Sequence, residues 1–357
     1  MKILFVISTL RAGGAERVAA LLASKFSLDH DVTLLKFDSA EPFYELSERV
    51  KLVNLSYGAD EAGIIGNFKK RLGKILAIRK IIKEGGFDAA ISFLDSTNVL
   101  VLAAALGLKT PVIATEHTSF DAGIAAKIYE VLKRLFYPRA SAVSVLTKTD
   151  AAHYAKYCKN VFVAYNPLFL RPAQKPAQKQ NAVLFVGRLV AVKNCEAFVR
   201  LAAKFRGEGW EFCVAGDGAE RERLEALNRE LGAGVKFLGN VANIGELYAN
   251  AKILVSTSRA EGFGNALIEA AAADVARVAS KTGGAAELIT DGFDGILYEQ
   301  GDESALAEAV RNLMRDEAAR EKICANARLR LGEFSLDKIY ERWTEILRSV
   351  CRPAATK

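Results

Sequence analysis

Short, almost continuously apolar runs alternate with helical stripes along most of the chain. ILFVIST opens it, GGAERVAALLASKF repeats its apolar positions at helical spacing, and DVTLLKF is apolar again. The alternation continues through DAAISFL, PVIATEH, SAVSVLT and VFVAYNP. Strands that are apolar on successive residues are buried on both faces, which predicts a parallel sheet covered by helices. RPAQKPAQKQ (171–180) then breaks the pattern with two prolines and no large apolar residue, the composition of an exposed linker. A second series follows: NAVLFVGRL, EFCVAGDG, VKFLGNV, AKILVSTS, VARVAS and DGILYE, with RERLEALNREL and ESALAEAVRNLMRD as helices between them. The last stretch, SLDKIYERWTEILRSVC, sets Ile339, Trp343, Ile346, Leu347 and Val350 at helical spacing.

The prediction is an α/β chain of two doubly wound, Rossmann-like domains. The first spans 1–170 and is joined by the C-terminal helix 336–352; the linker is 171–180 and the second domain 181–335. A length of 357 residues, too great for one ordinary core, fits this division. Ligands of doubly wound sheets bind beyond the carboxyl ends of the strands, so a cleft between the domains is the expected active site.

Composition narrows the class. Hydrophobic residues at 51% and charged residues at 25% are those of a globular protein. The opening MKILFVISTL has a signal-like apolar core but no small-residue cleavage site, and a first strand is the better reading. The longest later run, VLVLAAALGL, is far short of the ~20 residues a membrane span needs. Five cysteines without a C-x-x-C pair indicate reduced thiols in a cytoplasmic protein. With three histidines in all, a structural zinc site is not expected. Asp29-His30-Asp31 imitates a metal-binding D-x-D but is read as a turn, so no metal is implied. Charge is uneven: residues 1–170 hold 22 Lys and Arg against 16 Asp and Glu, the remainder 27 against 26. Gly66–Lys83 contains seven basic residues and no acid. A solvated helix face explains such a run, and an anionic partner of the first domain explains it as well.

Candidate chemistry gathers in the second domain. In EGFGNALIE, Gly262 and Gly264 let a backbone approach a ligand closely, and Asn265 is placed to cap the following helix. Free amides and the positive end of the helix suit a diphosphate. Glu269, about one turn in, leans back toward the helix start and can accept hydrogen bonds from a ribose diol; Glu261 can hold a second polyol such as a sugar ring. Two surface glutamates are the bland alternative. Arg188 and Lys193, in GRLVAVKN, supply two cations to neutralise a diphosphate leaving group, though alone they fit a solvated basic loop. AGDG with Gly216 and FLGNV with Val241 end successive strands and are ordered to line one nucleotide site. In the first domain Gly13-Gly14 lies between strand and helix without G-x-G-x-x-G spacing, which disfavours a nicotinamide dehydrogenase. His117 ends another strand, where a packed histidine and a catalytic one are both tenable.

Together GGAER, TEH, GRL…KN, AGDG, FLGNV and EGFGNALIE resemble the retaining glycosyltransferase family 4, of GT-B fold, over essentially the whole chain. ISTLRAGGAER, FYEL, ISFLDSTN, GLKTPVI and SVL are similar to the GalNAc transferases of the bacterial lipid-linked N-glycan (Pgl) pathway, in particular those extending a GalNAc chain processively on undecaprenyl diphosphate. The resemblance implies that Arg188 and Lys193 grip the diphosphate of a UDP-sugar and that Glu269 holds its ribose. Glu261 and the amides of Phe263, Gly264, Asn265 and Ala266 would meet the sugar and β-phosphate. Gly14 would make room for the diphosphate, with His117 beside the sugar. It implies no metal or other cofactor, retention of anomeric configuration, and transfer from UDP-GalNAc to a GalNAc hydroxyl of an undecaprenyl-diphosphate-linked glycan. Asp95 is a candidate acceptor contact. Lys69, Lys70, Arg71 and Lys74 are expected to meet the acceptor diphosphate or an anionic membrane surface, placing the protein at the cytoplasmic face of the inner membrane with no nucleic-acid partner. Phe68, Leu72, Ile75 and Ile82 share one arc of that helix, with Arg79 and Lys83 intruding; Ile124, Ile128, Val131, Leu132 and Leu135 form a more regular stripe, which core packing explains equally well.

Rival expectations are another UDP-sugar donor, a UDP-sugar 2-epimerase, or a glycan-binding protein descended from an enzyme. One departure stands out: where the family commonly has Ala-Cys-Gly-x-Pro-Val, this chain has Ala272-Ala273-Asp274-Val275-Ala276-Arg277.

Overall fold

The computed structural model describes residues 1–56, 64–120, 127–170 and 179–351. Residues 1–166 with the helix from Leu336 form one compact unit, and Pro167–Ser335 form the other. The proposed linker lies, save for Lys179 and Gln180, outside the described residues.

The first unit runs β1 (Lys2–Ile7), α1 (Gly14–Phe26), β2 (Asp31–Lys36), β3 (Lys51–Asn54), α2 (Ile64–Gly85), β4 (Ala89–Phe93), α3 (Asp95–Ala104), β5 (Val112–Thr115), α4 (Lys127–Phe136), β6 (Ala142–Val145), α5 (Lys148–Tyr154) and β7 (Val161–Val163). Its strands are all parallel, in the order β3-β2-β1-β4-β5-β6-β7. Because strand side chains alternate, β1 sends Ile3, Phe5 and Ile7 to one core and Leu4 and Val6 to another. The helix Leu336–Cys351 covers the first core with Ile339, Trp343, Ile346 and Leu347.

The second unit contains β8 (Ala182–Val186), α6 (Cys195–Lys204), β9 (Glu211–Ala215), α7 (Arg221–Leu231), β10 (Lys236–Gly239), α8 (Ile244–Asn250), β11 (Ile253–Ser256), α9 (Asn265–Ala272), β12 (Ala276–Ser280), α10 (Gly283–Leu288), β13 (Ile296–Tyr298), α11 (Glu303–Arg315) and α12 (Glu317–Arg328); Leu336–Cys351 of the first unit is α13. Strand order is β10-β9-β8-β11-β12-β13. The order reverses between β8 and β11, where such sheets open a crevice at their carboxyl ends.

The Asp274–Arg277 departure has a structural reason. Asp274 makes the α9–β12 turn itself, at φ 55 in the left-handed region that Asp and Asn enter more readily than most residues, and its carboxylate meets Arg328 of α12. Arg277 points from β12 into the interior, 3% exposed. There its guanidinium pairs with Asp294, itself 1% exposed, at 3.4 Å, and donates to the Asp294 and Leu288 carbonyls. The Asp294 carboxylate also accepts the Thr290 amide at 2.8 Å, so the pair ties β12 to the turn before β13. A buried ion pair is costly to break on one side, since the survivor keeps its desolvation penalty. Arg277→Ala should lower stability by ~3–5 kcal/mol in urea unfolding, and Arg277→Met with Asp294→Leu should recover most of that loss. A double variant as unstable as the single would refute the coupling.

Candidate active site

At the carboxyl edge of the second sheet, backbone meets backbone. Gly216, after β9, has φ 142, and a Cβ there would stand 1.9 Å from the Gly187 carbonyl oxygen. The loops are stitched by Gly187 N–H to Ala215 O (3.0 Å), Leu189 N–H to Asp217 O (2.9 Å) and Gly216 N–H to Gly239 O (2.8 Å). The glycines of VGRL, AGDG and FLGNV thus come together at three adjacent strand ends, with half-buried Val241 just beyond β10.

The β8 loop continues through a 3₁₀ turn to Asn194, at φ 49. Thr257, after β11, donates to the carbonyls of Lys193 and Asn194, and the Arg259 amide donates to Val192 O. These bonds carry the β11 loop to the β8 loop, where Lys193 Nζ meets Glu261 Oε2. Ser258 Oγ donates to the same oxygen at 3.1 Å. Arg188 stands exposed on the β8 loop, with no ion-pair partner among the described residues.

The helix α9 corrects one expectation: Asn265 is its first residue, and the cap position belongs to Gly264, at φ 92. A left-handed residue there turns the chain into the helix without a side-chain cap. Half-buried Gly262 precedes it. The Phe263 ring turns inward against Phe334, centroids 5.9 Å apart, so it is Phe263's backbone that borders the site. Glu269 is 4% exposed and accepts the Tyr248 hydroxyl at 3.2 Å; the same hydroxyl lies 3.3 Å from Ala266 O. The glutamate is therefore held by a tyrosine of α8 that sequence reasoning passed over. Gly284 was passed over too. Its Cβ would lie 2.6 Å from Glu261 O, and its amide donates to that oxygen at 3.0 Å. A Gly-Gly pair after a capping threonine was the available signal.

In the first unit Gly14 begins α1 and is exposed. His117, just after β5, stacks on Phe93 (5.4 Å, 19°). Its ring nitrogens are buried and without a hydrogen-bond partner among the described residues. Burial lowers its pKa to about 4 against the pull of the Asp95 carboxylate, so the ring is neutral at pH 7. Asp95 opens α3 after Leu94, whose φ 74 and ψ 146 fall in a region that non-glycine residues rarely occupy. The Asp95 carboxylate bonds Lys133 of α4 at 3.0 Å. Lys133 is 3% exposed, hidden in the sequence inside an amphipathic stripe.

The basic helix departs from expectation. Of its four named cations, Lys69 and Arg71 are exposed, whereas Lys70 and Lys74 are half-buried. Arg71 lies over Tyr129 and Lys74 over Phe37. Ile78 and Ile82 are buried while Leu72 and Leu76 face outward, 47% and 58% exposed. The Phe68 side chain lies outside the described residues. Arg79 intrudes for a reason: it donates to Ala104 O and Leu106 O at the end of α3. The core-packing alternative for the α4 stripe fails at Val131 and Leu135, 62% and 51% exposed; Leu132 packs inward, and Ile124 and the Ile128 side chain lie outside the described residues.

Two parallel doubly wound sheets, the second with a glycine-lined crevice and a lysine–glutamate pair at its carboxyl edge, have the architecture of the GT-B fold. The family comparisons agree. The Glycosyltransferase Family 4 model matches residues 12–168 and the Glycosyl transferases group 1 model residues 169–330; the chain belongs to glycosyltransferase family 4. It is 38% identical, over 98% of its length and 99% of the relative, to a Campylobacter jejuni GalNAc-α-(1→4)-GalNAc-α-(1→3)-diNAcBac-PP-undecaprenol α-1,4-N-acetyl-D-galactosaminyltransferase. The Erwinia amylovora amylovoran biosynthesis glycosyltransferase AmsD is 28% identical over 97% of this chain and 99% of its own. Among solved structures, Anabaena HepE in complex with UDP and glucose aligns with TM-score 0.80 at 20% identity, covering 98% of this chain and all of that one.

Gly216→Ala should cost roughly 2 kcal/mol or more in thermal unfolding, because the added methyl meets backbone that cannot yield. Gly332→Ala, where no atom lies within 4 Å of a new Cβ, should stay within ~0.5 kcal/mol. Equal effects at both positions would refute the steric argument.

Proposed function

We propose that this glycosyltransferase moves GalNAc, with retention, from UDP-GalNAc to a GalNAc-terminated glycan on undecaprenyl diphosphate and repeats the transfer. The observation that carries the reading is the meeting of Lys193, Glu261 and Ser258 beside the α9 N-terminus, with Glu269 buried one turn in. The α9 amides and the cations of Arg188 and Lys193 take the diphosphate and stabilise the charge that grows on it as the sugar–phosphate bond breaks. Lys193 exchanges its carboxylate partner for phosphate, freeing Glu261 to accept hydroxyls of the sugar. Glu269, oriented by Tyr248, accepts the ribose diol, while the backbone near Gly216 and Val241 borders the base. Gly14 leaves room for the diphosphate, and neutral His117 offers a donor or an acceptor to the sugar without repelling either charge. These cations do the work of a metal, so transfer is metal-independent. The acceptor proposal rests on the 38% identical relative, whose name states a lipid-linked diNAcBac-PP-undecaprenol glycan.

The test offers purified protein a GalNAc-terminated undecaprenyl-diphosphate glycan with UDP-GalNAc, UDP-GlcNAc or UDP-glucose, each with and without EDTA. Mass analysis should give a ladder of products from UDP-GalNAc, unchanged by EDTA. A single addition would overturn repetition, another donor would overturn the sugar assignment, and epimerisation of UDP-GalNAc without acceptor would replace transfer altogether.

The first unit is proposed to dock peripherally on the anionic cytoplasmic face of the inner membrane. Lys69 and Arg71 project from α2, and Leu72 and Leu76 expose apolar surface on the same helix. No helix among the described residues is long and apolar enough to cross a membrane. Lys69→Glu with Arg71→Glu should weaken sedimentation with phosphatidylglycerol vesicles by ~10-fold or more, and undiminished binding would remove α2 from the docking surface.

A further inference from the structure

A single half-buried lysine fastens the carboxyl ends of the two helices that hold Glu269. Lys179, shortly before β8, donates from Nζ to Tyr248 O at 3.3 Å, Ala251 O at 2.7 Å and Ala273 O at 2.9 Å. Ala251 is the residue that ends α8, and Ala273 the one that ends α9. The last carbonyls of a helix lack partners within it and form the negative end of its dipole, so an ammonium there satisfies both needs. An ammonium has three N–H donors, and here three carbonyls accept them. The adjacent Gln180 amide donates to Asn250 O at 2.7 Å, which holds the chain against the end of α8.

The same contacts run on to Glu269. Tyr248 is fully buried and gripped at both ends. Its carbonyl accepts from Lys179, while its hydroxyl reaches α9, donating to Glu269 Oε2 at 3.2 Å and lying 3.3 Å from Ala266 O. The Ala273 amide returns to Glu269 O at 3.1 Å. Lys179, Tyr248, Glu269 and Ala273 thus form a closed circuit across two helices. Hydrogen bonds weaken steeply with distance and angle, so the hydroxyl stays on Glu269 only while the two helix ends keep their spacing. Lys179 is the side chain that bonds both ends.

We propose that Lys179 is a positioning residue of the donor site: by clamping the carboxyl ends of α8 and α9 it sets the Tyr248–Glu269 contact, and with it the recognition of a nucleotide's ribose diol. The inference rests on the ribose reading of Glu269. Lys179 acts through Tyr248 and Glu269, and the β8-loop cations that take the diphosphate, Arg188 and Lys193, lie outside the circuit. Its influence therefore falls on the sugar of the nucleoside and spares the phosphates. Arginine is a poor substitute, because its planar fork spreads its donors whereas the three carbonyls converge on one nitrogen.

The experiment titrates the full chain calorimetrically with UDP and with dideoxy-UDP, which lacks the ribose diol, and reads the ratio of the two affinities. Wild type should favour UDP by about tenfold or more, the worth of hydrogen bonds to a charged group. Lys179→Met should cut that preference to about threefold or less by weakening UDP alone, with dideoxy-UDP held within about twofold. In transfer assays its KM for the UDP-sugar should rise while kcat stays within about threefold, because the ribose is remote from the bond that breaks. Lys179→Arg keeps the charge, serves if the methionine variant does not fold, and should lose part of the preference. Tyr248→Phe should lower the preference as Lys179→Met does, and the double variant should lower it no further. A full wild-type preference in either lysine variant would overturn the inference. So would a parallel loss of both nucleotides, which is what mere structural damage gives, or additive losses in the double variant. A wild type that binds both nucleotides equally sinks the ribose reading of Glu269, and one that binds neither sinks the donor site; a wild-type preference that Lys179 variants leave unmoved sinks only Lys179.

Discussion

Lys193 and Glu261 stand on different loops at the point where the strand order of the second sheet reverses, and their attraction closes the two loops on one another. Both are only partly exposed, 21% and 16% at the side chain, so solvent screens the pair less than a surface bridge. Much else in the site follows from holding those loops together. Thr257 can reach the Lys193 and Asn194 carbonyls, Ser258 can reach Glu261, and Gly284 can press its backbone against Glu261 O.

The two units keep their carboxylates by different means. In the second unit Glu269 is buried with the Tyr248 hydroxyl as donor, and Glu261 has a cation and a serine. In the first, the Asp95 carboxylate bonds the buried Lys133 ammonium, and Glu116 accepts from Tyr137 and Asn98. The strained Leu94 backbone that precedes Asp95 is part of the same arrangement, since it turns the chain from β4 directly into α3.

Strand and helix order was legible because parallel strands buried on both faces leave continuous apolar runs, and the family followed from glycine-rich strand ends. Glu261, Arg188 and Lys193 stand out as candidates because charged residues after apolar strands are conspicuous, and Glu269 because it lies one turn into the helix after a glycine loop. Tyr248, Lys133 and Glu116 were not. Each sits within a stretch whose pattern already has an explanation, and partners such as Tyr137 for Glu116 or Asp95 for Lys133 are 21 and 38 residues away. Asn265 was misjudged by one position because a left-handed glycine displaced the usual side-chain cap. The α2 arc holds only in part, with Ile75 and Ile82 packed and Leu72 exposed, and the α4 stripe could not be decided from sequence, because a stripe does not say whether a neighbour covers it.

The buried Arg277–Asp294 pair has a historical consequence. Neither charge can be lost alone without leaving the other in the interior, so the route back to an uncharged turn passes through an unstable protein. A lineage that gained both residues is therefore caught by a ratchet: the order in which the two arose is erased, and reversal requires coincident change or prior surplus stability. Sequences on this branch should carry arginine and aspartate together or neither, making the pair a marker of descent independent of what the enzyme transfers.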